Sequence, residues 1–552
     1  MTELKIHRPV HSASARPQPS PDTGGPGAGT AAGSAPSARG PAGLAQRVSG
    51  RVPANGGRAP RAPMPGAHRP MPKPVPYHSQ KPDRSLDCLN LLVPYPSGWG
   101  WPGMVIECRH LALTWVMQAA GAGKPDYADF SSVPAIARSV QPQANALYEI
   151  LMTHAPEVHM AALEDIGRFA AGQLKAMASA GAPAAKQFLF CSGGHAMALE
   201  LKVKQGAEGP RFVANFYDPN ITANHKRVAS HDLAHVEALR VEDLVEDALA
   251  KHYFGNESAV LMVALPPGDL EALPPAPHGG TQRRLAGPTP PVDAGVIHQL
   301  LTTNMAGTLR DIAPRIAQLA RRDPEAAERV LEGRSCMGLS GISKALERSS
   351  AAAVGAYIDL VASSPLPLAA TVRLLTPRLA DGQLGLALAL RSAEPETVQA
   401  YLDGLDRHPQ LNDHHRAGLL GVRGAEGRTA LGQGMRTGRA DNIQVLVDRI
   451  AQLDVPSRTR CVLLCTPHDG GGPCLAQALR DNAADRVAAY VEAVLASPMH
   501  AREKAYVLGA GLPAGELLAQ ARSHDARQAL HAYRSAIEQS TLPAREKSLL
   551  LG

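Results

Sequence analysis

Residues 186–222 read KQFLFCSGGHAMALELKVKQGAEGPRFVANFYDPNIT. Apolar and polar side chains alternate along HAMALELKV and again along RFVANFYD, the period of half-buried strands. Between them KQGAEGP holds two glycines and reads as a turn. The stretch therefore predicts a hairpin, preceded by a strand over KQFLF. In an antiparallel hairpin the start of one strand lies beside the end of its partner. His195 opens the first strand, after Ser192-Gly193-Gly194, and Asp218 closes the second, just before Pro219. Topology alone makes His195 and Asp218 neighbours.

A carboxylate that accepts from one imidazole nitrogen fixes the tautomer and stabilises the imidazolium. Such a pair can serve as the base for a thiol. The stretch GMVIECRHLALTWVM, residues 103–117, places Cys108 between a Pro102-Gly103 turn and an apolar helix. VIECRHLALTWVMQAA reads as helical, with Cys108 in or near its first turns, and a helix N-terminus lowers a thiol pKa. A helix-borne Cys facing a sheet-borne His–Asp pair, in that chain order, is the papain-like arrangement. Plainer readings exist. Cys108 is then an inert core thiol, His195 a satisfied structural histidine, and Asp218 the start of an Asx-Pro turn. Gly193 and Gly194 favour function, because they permit close approach of a substrate. Asn220 and His225 are weaker candidates, Asn220 reading as a turn residue, and Cys191 continues a strand into the core.

Three motifs carry a resemblance. ECRHLA, GGHAMALEL and FYDPNITANHKRV look like the enterotoxin-2-like, EspL-type family of type III secreted effectors, cysteine proteases that bacteria inject into host cells. The resemblance covers about residues 84–266 and the repeats that follow. It implies Cys108 as nucleophile, His195 as base and Asp218 as orienting acid, acting by acyl transfer on peptide bonds of host proteins. Host defence and cell-death signalling proteins are the implied targets, and a secretion chaperone is a possible partner. The Cys108 backbone N–H is one oxyanion donor. Papain-like enzymes place a Gln shortly before the nucleophile, but no Gln lies between Asp83 and Cys108. Asn90, or an indole N–H of Trp99 or Trp101, is the substitute. Deamidation or acyl transfer by the same triad is an alternative reaction. A non-catalytic effector whose repeats sequester host proteins is the alternative function.

The remainder of the 552 residues sets the frame. Residues 1–83, rich in Pro, Gly, Ala, Ser and Arg, cannot bury enough apolar surface to offset ordering, which predicts disorder. An injected effector carries its secretion signal in such a segment. The net charge of +6 arises there: residues 1–87 hold twelve Lys and Arg against four acids. No zinc finger, P-loop or RNA-binding aromatic motif accompanies it, so no nucleic-acid partner is expected. No run long enough to span a membrane occurs. Seven widely spread cysteines argue against a disulfide framework and for a reducing compartment. A Pro/Gly-rich linker over 267–293 separates the α/β region, 84–266, from a helical region, 294–552.

That last region repeats. Leu301, Leu346, Leu390, Met435 and Leu479 recur every 44 or 45 residues. Eleven residues after each comes Ile312, Tyr357, Tyr401, Leu446 or Tyr490, and Tyr533 extends the series. Units run helix, helix, break, helix, about six in all, which predicts a stacked solenoid. GRTALGQGMRTGRADNIQVLVDRI looks like the opening of an ankyrin repeat, so the units are ankyrin-like with an added helix. Cys461, Cys465, His468 and Cys474 suggest zinc by residue type, but Cys461 and Cys465 occupy positions held elsewhere by Ala505 and Gly509. They read as packing residues, and neither metal nor cofactor is expected. The expected fold is thus α+β: a papain-like cysteine protease domain followed by an all-α, ankyrin-like helical repeat, with a disordered N-terminal tail.

Overall fold

A computed structural model describes residues 89–91, 93–94, 105–180, 184–222, 224–245, 247–255, 257–268, 270, 283–379, 381–466 and 472–552. The readings of residues 1–83, Trp99, Trp101, Pro102, Gly103 and His468 lie outside them.

The described chain is α+β. Six strands form one antiparallel sheet: β1 (Val158–Ala162), β2 (Ala184–Cys191), β3 (Ala196–Gly206), β4 (Gly209–Tyr217), β5 (Lys226–Ser230) and β6 (Ala259–Ala264), in the order β1-β6-β2-β3-β4-β5. The hairpin is β3–β4, with β2 on its other side. Strand alternation divides the core. Phe188, Phe190, Met197, Leu199 and Leu201 face the helix Ile166–Ser179 and the helices of residues 233–254. Leu189, Ala196, Ala198, Leu261 and Val263 face the opposite side. There the helix α1 (Cys108–Ala122) lies across β2 and β3 and against the helix Ala144–His154. Ala196 and Ala198 are small where α1 crosses, and Trp115 of α1 stacks on Tyr217 of β4, ring centroids 5.5 Å apart.

Helices then recur in six triplets, from Ala294–Thr302, Ala306–Arg322 and Pro324–Leu331 to Glu516–Arg522, Arg527–Gln539 and Ala544–Leu551. First helices pack on first helices of the next triplet, and second on second. The phased Leu301, Leu346, Leu390, Met435 and Leu479 are all buried, as are Ile312, Tyr357, Tyr401, Leu446, Tyr490 and Tyr533. Between triplets the chain makes tight loops closed by the bridges Arg334↔Ser340, Arg378↔Leu384 and Arg423↔Thr429. Each loop turns on a glycine with positive φ, namely Gly338, Gly382 and Gly427, a conformation costly for other residues. One apolar core runs from Leu111 of α1 to Leu550 of the last triplet, so the sheet and the helices share an interior. No helix among the described residues is long and apolar enough to cross a membrane.

The recurring tyrosines have a second use. Tyr357 donates its hydroxyl to the Leu331 carbonyl at 2.7 Å, Tyr401 to Leu375 at 2.5 Å, Tyr490 to Leu464 at 2.9 Å and Tyr533 to Leu508 at 3.0 Å. Each acceptor ends the third helix of the preceding triplet, where intrahelical bonding leaves carbonyls over. Leu446 holds this place in the fourth triplet and has no hydroxyl to give. Tyr357→Phe and Tyr401→Phe should each destabilise the chain by about 1–2 kcal/mol, the cost of an unpaired buried carbonyl. A lowered urea midpoint in circular dichroism, with unchanged slope, measures this; a midpoint equal to wild type contradicts it.

Candidate active site

Cys108 is the first residue of α1. The helix start is held by its neighbours: the Glu107 backbone N–H donates to His110 Nδ1 at 2.9 Å, a capping-box bond. His110 is fully buried, and burial with the Arg109 charge lowers its pKa to about 3. It is thus a neutral acceptor at working pH. Arg109 reaches back to Glu107 at 3.0 Å. In Cys108-Arg109-His110 the last two residues brace the turn that carries the first.

His195 and Asp218 flank the β3–β4 hairpin, one before β3 and one after β4, and both are buried. His195 Nε2 lies 2.9 Å from Asp218 Oδ1. The same oxygen accepts from the Asn220 backbone N–H at 2.9 Å. The other, Oδ2, accepts from the Tyr253 hydroxyl at 3.0 Å. With Nε2 committed to Asp218, Nδ1 is the nitrogen left for the thiol, and the Cys108 sulfur lies near enough to His195 for each to shift the other's pKa. The three residues singled out in the sequence therefore meet across the cleft between α1 and the sheet.

The electrostatics follow from this contact. Cys108 is half-buried, and the packing around its sulfur raises the thiol pKa. The His195 charge, the hydrogen bond to it and the Ala196 amide outweigh that effect, so the net shift is downward. Burial disfavours the His195 imidazolium, yet Cys108 and Asp218 outweigh it and hold the ring above its ordinary value. Thiol down and imidazole up describe a thiolate–imidazolium pair. The other five cysteines among the described residues all shift upward through burial: Cys191, Cys336, Cys461, Cys465 and Cys474. Cys465 and Cys474 donate to the Val507 and Leu464 carbonyls of the helical stack.

Tyr253 completes the site without having stood out in the sequence, and Asn220 and Asn90 take parts in it that the sequence did not give them. Tyr253, at the end of the helix Asp247–Phe254, stacks on His195 with ring centroids 4.1 Å apart while it holds Asp218. Asn220 is more than a turn residue. Its side chain donates to the Tyr253 hydroxyl and accepts from Asn90 Nδ2 at 2.9 Å. Asn90 is therefore a strut of the network, with an amide N–H already committed. The Cys108 amide lies at the helix N-terminus, where intrahelical bonding leaves N–H groups over. His225 sits elsewhere, against Trp115 and Tyr127, with its pKa lowered to about 4 by burial. Gly194 is exposed and Gly193 half-buried, and neither has room for a side chain. A Cβ on Gly193 would stand 2.3 Å from Glu257 Oε1, and one on Gly194 would stand 2.5 Å from Met337 Cγ. No short-range signal marks Tyr253 or Glu257, because their contacts with the hairpin are 35 or more residues distant.

Comparison with known proteins bears on this site. Residues 67–329 match the family described as the ShET2 enterotoxin, N-terminal region. That stretch ends within the helix Pro324–Leu331 of the first triplet. Over 303 residues the chain is 25% identical to the effector protease OspD3 of Shigella flexneri, covering 54% of this chain and 49% of that one. The chain thus spans about half the length of this relative. Residues 67–329, which include ECRHLA, GGHAMALEL and FYDPNITANHKRV, are thus similar to the ShET2 enterotoxin N-terminal region, in line with the enterotoxin-2-like resemblance of those motifs.

Proposed function

We propose that this chain is a bacterial effector acting as a papain-like thiol protease on host proteins, with Cys108 as nucleophile, His195 as general base and Asp218 as orienting acid. One observation carries the reading: a helix-terminal thiol lies beside an imidazole that is bound to a buried carboxylate. The printed name of the Shigella relative, effector protease, supports the same reaction.

The chemistry balances with these groups alone. The Cys108 thiolate attacks a peptide carbonyl, and the Cys108 amide faces the developing oxyanion. The tetrahedral intermediate collapses as the His195 imidazolium protonates the leaving amine, giving a thioester and a new N-terminus. His195 then takes a proton from water, which attacks the thioester. The carboxylic product leaves, and the thiolate–imidazolium pair is restored. Asp218, held at both oxygens, keeps the ring from turning through the cycle.

The rest of the chain is assigned within this reading. Residues 1–83 act as a secretion segment for a type III route into the host cytoplasm, with a secretion chaperone as partner. Residues 84–266 form the protease domain, 267–293 the linker and 294–552 an ankyrin-like stack that recruits substrate.

Cys108→Ala or Cys108→Ser should abolish cleavage and leave the melting temperature unchanged. Comparing peptide termini in host cells given wild-type or Cys108→Ala protein checks this. Equal sets of new termini would remove Cys108 from the mechanism, and a one-dalton change without new termini would indicate deamidation. The pKa directions make a separate prediction. A lowered thiol beside a raised imidazole keeps the thiolate present from below the ordinary thiol pKa upward. At pH 7 an ordinary cysteine is only a few per cent thiolate. Iodoacetamide should therefore modify Cys108 at least about tenfold faster than Cys336 or Cys465. Its rate should fall only at pH values below the ordinary thiol range, and His195→Ala should return that limb to the range of a free thiol. Tyr253→Phe, which removes one hydrogen bond to a charged group worth about 1.5–3 kcal/mol, should move the limb in the same direction by a smaller amount.

A further inference from the structure

Glu257 takes no part in the proposed chemistry, yet it is only 6% exposed. A buried carboxylate is costly unless donors surround it, and this one gathers three. Oε2 accepts from the Gly193 N–H at 2.9 Å and from Gln299 Nε2 at 3.3 Å. Oε1 accepts from the Cys336 N–H at 2.9 Å. Gly193 belongs to the turn that delivers His195. Gln299 lies in the first helix of the first triplet, and Cys336 in the loop that leads to the second. One side chain thus binds the His195 turn to the helical stack.

The same loop touches the site twice more. Cys336 Sγ donates to the Tyr253 carbonyl at 3.2 Å, and Tyr253 both stacks on His195 and holds Asp218. Ser335, Cys336 and Met337 fill the space that side chains on Gly193 and Gly194 would need: the Ser335 Cβ is 2.5 Å from a Cβ on Gly193, and Cys336 Sγ is 3.2 Å from one on Gly194. The glycines before His195 therefore make room for the loop. Farther back, Arg348 of the second triplet meets Glu149 at 2.6 Å, and Arg283 binds the carbonyls of Met152, Ala155 and Thr303. These contacts keep the first triplet from shifting on the sheet.

We propose that the loop Ser335–Met337, fastened through Glu257, positions His195, so that the start of the helical stack is a working part of the catalytic site. Glu257 and the loop are positioning groups: they act through the 192–195 turn and Tyr253 and touch no reacting atom. This rests on the thiol-protease reading. It adds that the stack acts on the catalytic imidazole as well as on substrate recruitment.

The test uses the full chain and the iodoacetamide rate at Cys108 as a function of pH, with Cys465, remote from Glu257, as the internal reference. Glu257→Gln replaces one acceptor oxygen by an N–H that faces a backbone N–H. It should slow modification at pH 7 by about tenfold and move the acid limb toward free-thiol values, with the melting temperature of the stack retained. Gly194→Ala should do the same by pressing on Met337, and the double variant Gly194→Ala, Met337→Ala should recover most of the rate. Rescue by a residue of the helical stack is a result that a defect confined to the sheet would not give. If Glu257→Gln folds and keeps the wild-type profile, the inference is overturned; should it fail to fold, the Gly194 and Met337 pair decides. A Gly194→Ala defect that Met337→Ala does not relieve overturns it as well. A wild-type Cys108 no faster than Cys465 sinks the thiol-protease reading itself. Indifferent variants of a reactive wild type sink only the role of the loop.

Discussion

The register between β3 and β4 is the constraint on which the site depends. A slip of one residue would turn Met197, Leu199 and Leu201 to the opposite face and draw His195 away from Asp218. A polar lock reinforces the apolar pattern. Glu200 is fully buried, directly opposite Gln187 on β2 and Asn215 on β4, and takes hydrogen bonds from them at 3.1 and 2.7 Å. Lys202 adds a charge at 2.9 Å. In any other register this carboxylate would be buried without these donors, which is far costlier than the loss of apolar contacts alone. A glutamate in the middle of an apolar strand thus fixes where His195 and Asp218 come to rest.

Around that fixed pair the charges are arranged by depth. His110, two residues after Cys108, is buried and held neutral, so it braces the helix without competing for the thiol's proton. His195 is buried as deeply, yet its partners hold it on the charged side. The difference lies in the partners: a backbone N–H and an arginine for one, a thiol and a carboxylate for the other. The same residue type serves as a cap at one place and as a candidate base 85 positions along the chain.

The helical stack grows out of the sheet. Its first triplet buries apolar side chains in the core that α1 shares, and Glu257 and the Arg348–Glu149 pair satisfy polar groups across the junction. Farther along, each triplet depends on its neighbour for carbonyl caps as well as for apolar cover, through Tyr357, Tyr401, Tyr490 and Tyr533. Stability in such an array is a sum of units and junctions, and the tyrosines supply a polar contribution to the junctions they occupy.

Much of this was legible in the sequence because it is periodic or local. Alternation marked the two strands of the hairpin, KQFLF read as a strand before them, the apolar run marked α1, and the 44- or 45-residue spacing marked the helical triplets. The meeting of His195 with Asp218 followed from hairpin topology. The tertiary structure alone decided the remainder. That Tyr253 holds Asp218, that Glu257 joins Gly193 to Cys336, and that two glycines make room for a loop 140 residues away are consequences of packing between distant segments. Periodicity reports which face of an element is buried. It carries no information on which other face covers it, because that choice is made by shape and hydrogen-bond satisfaction once the elements meet.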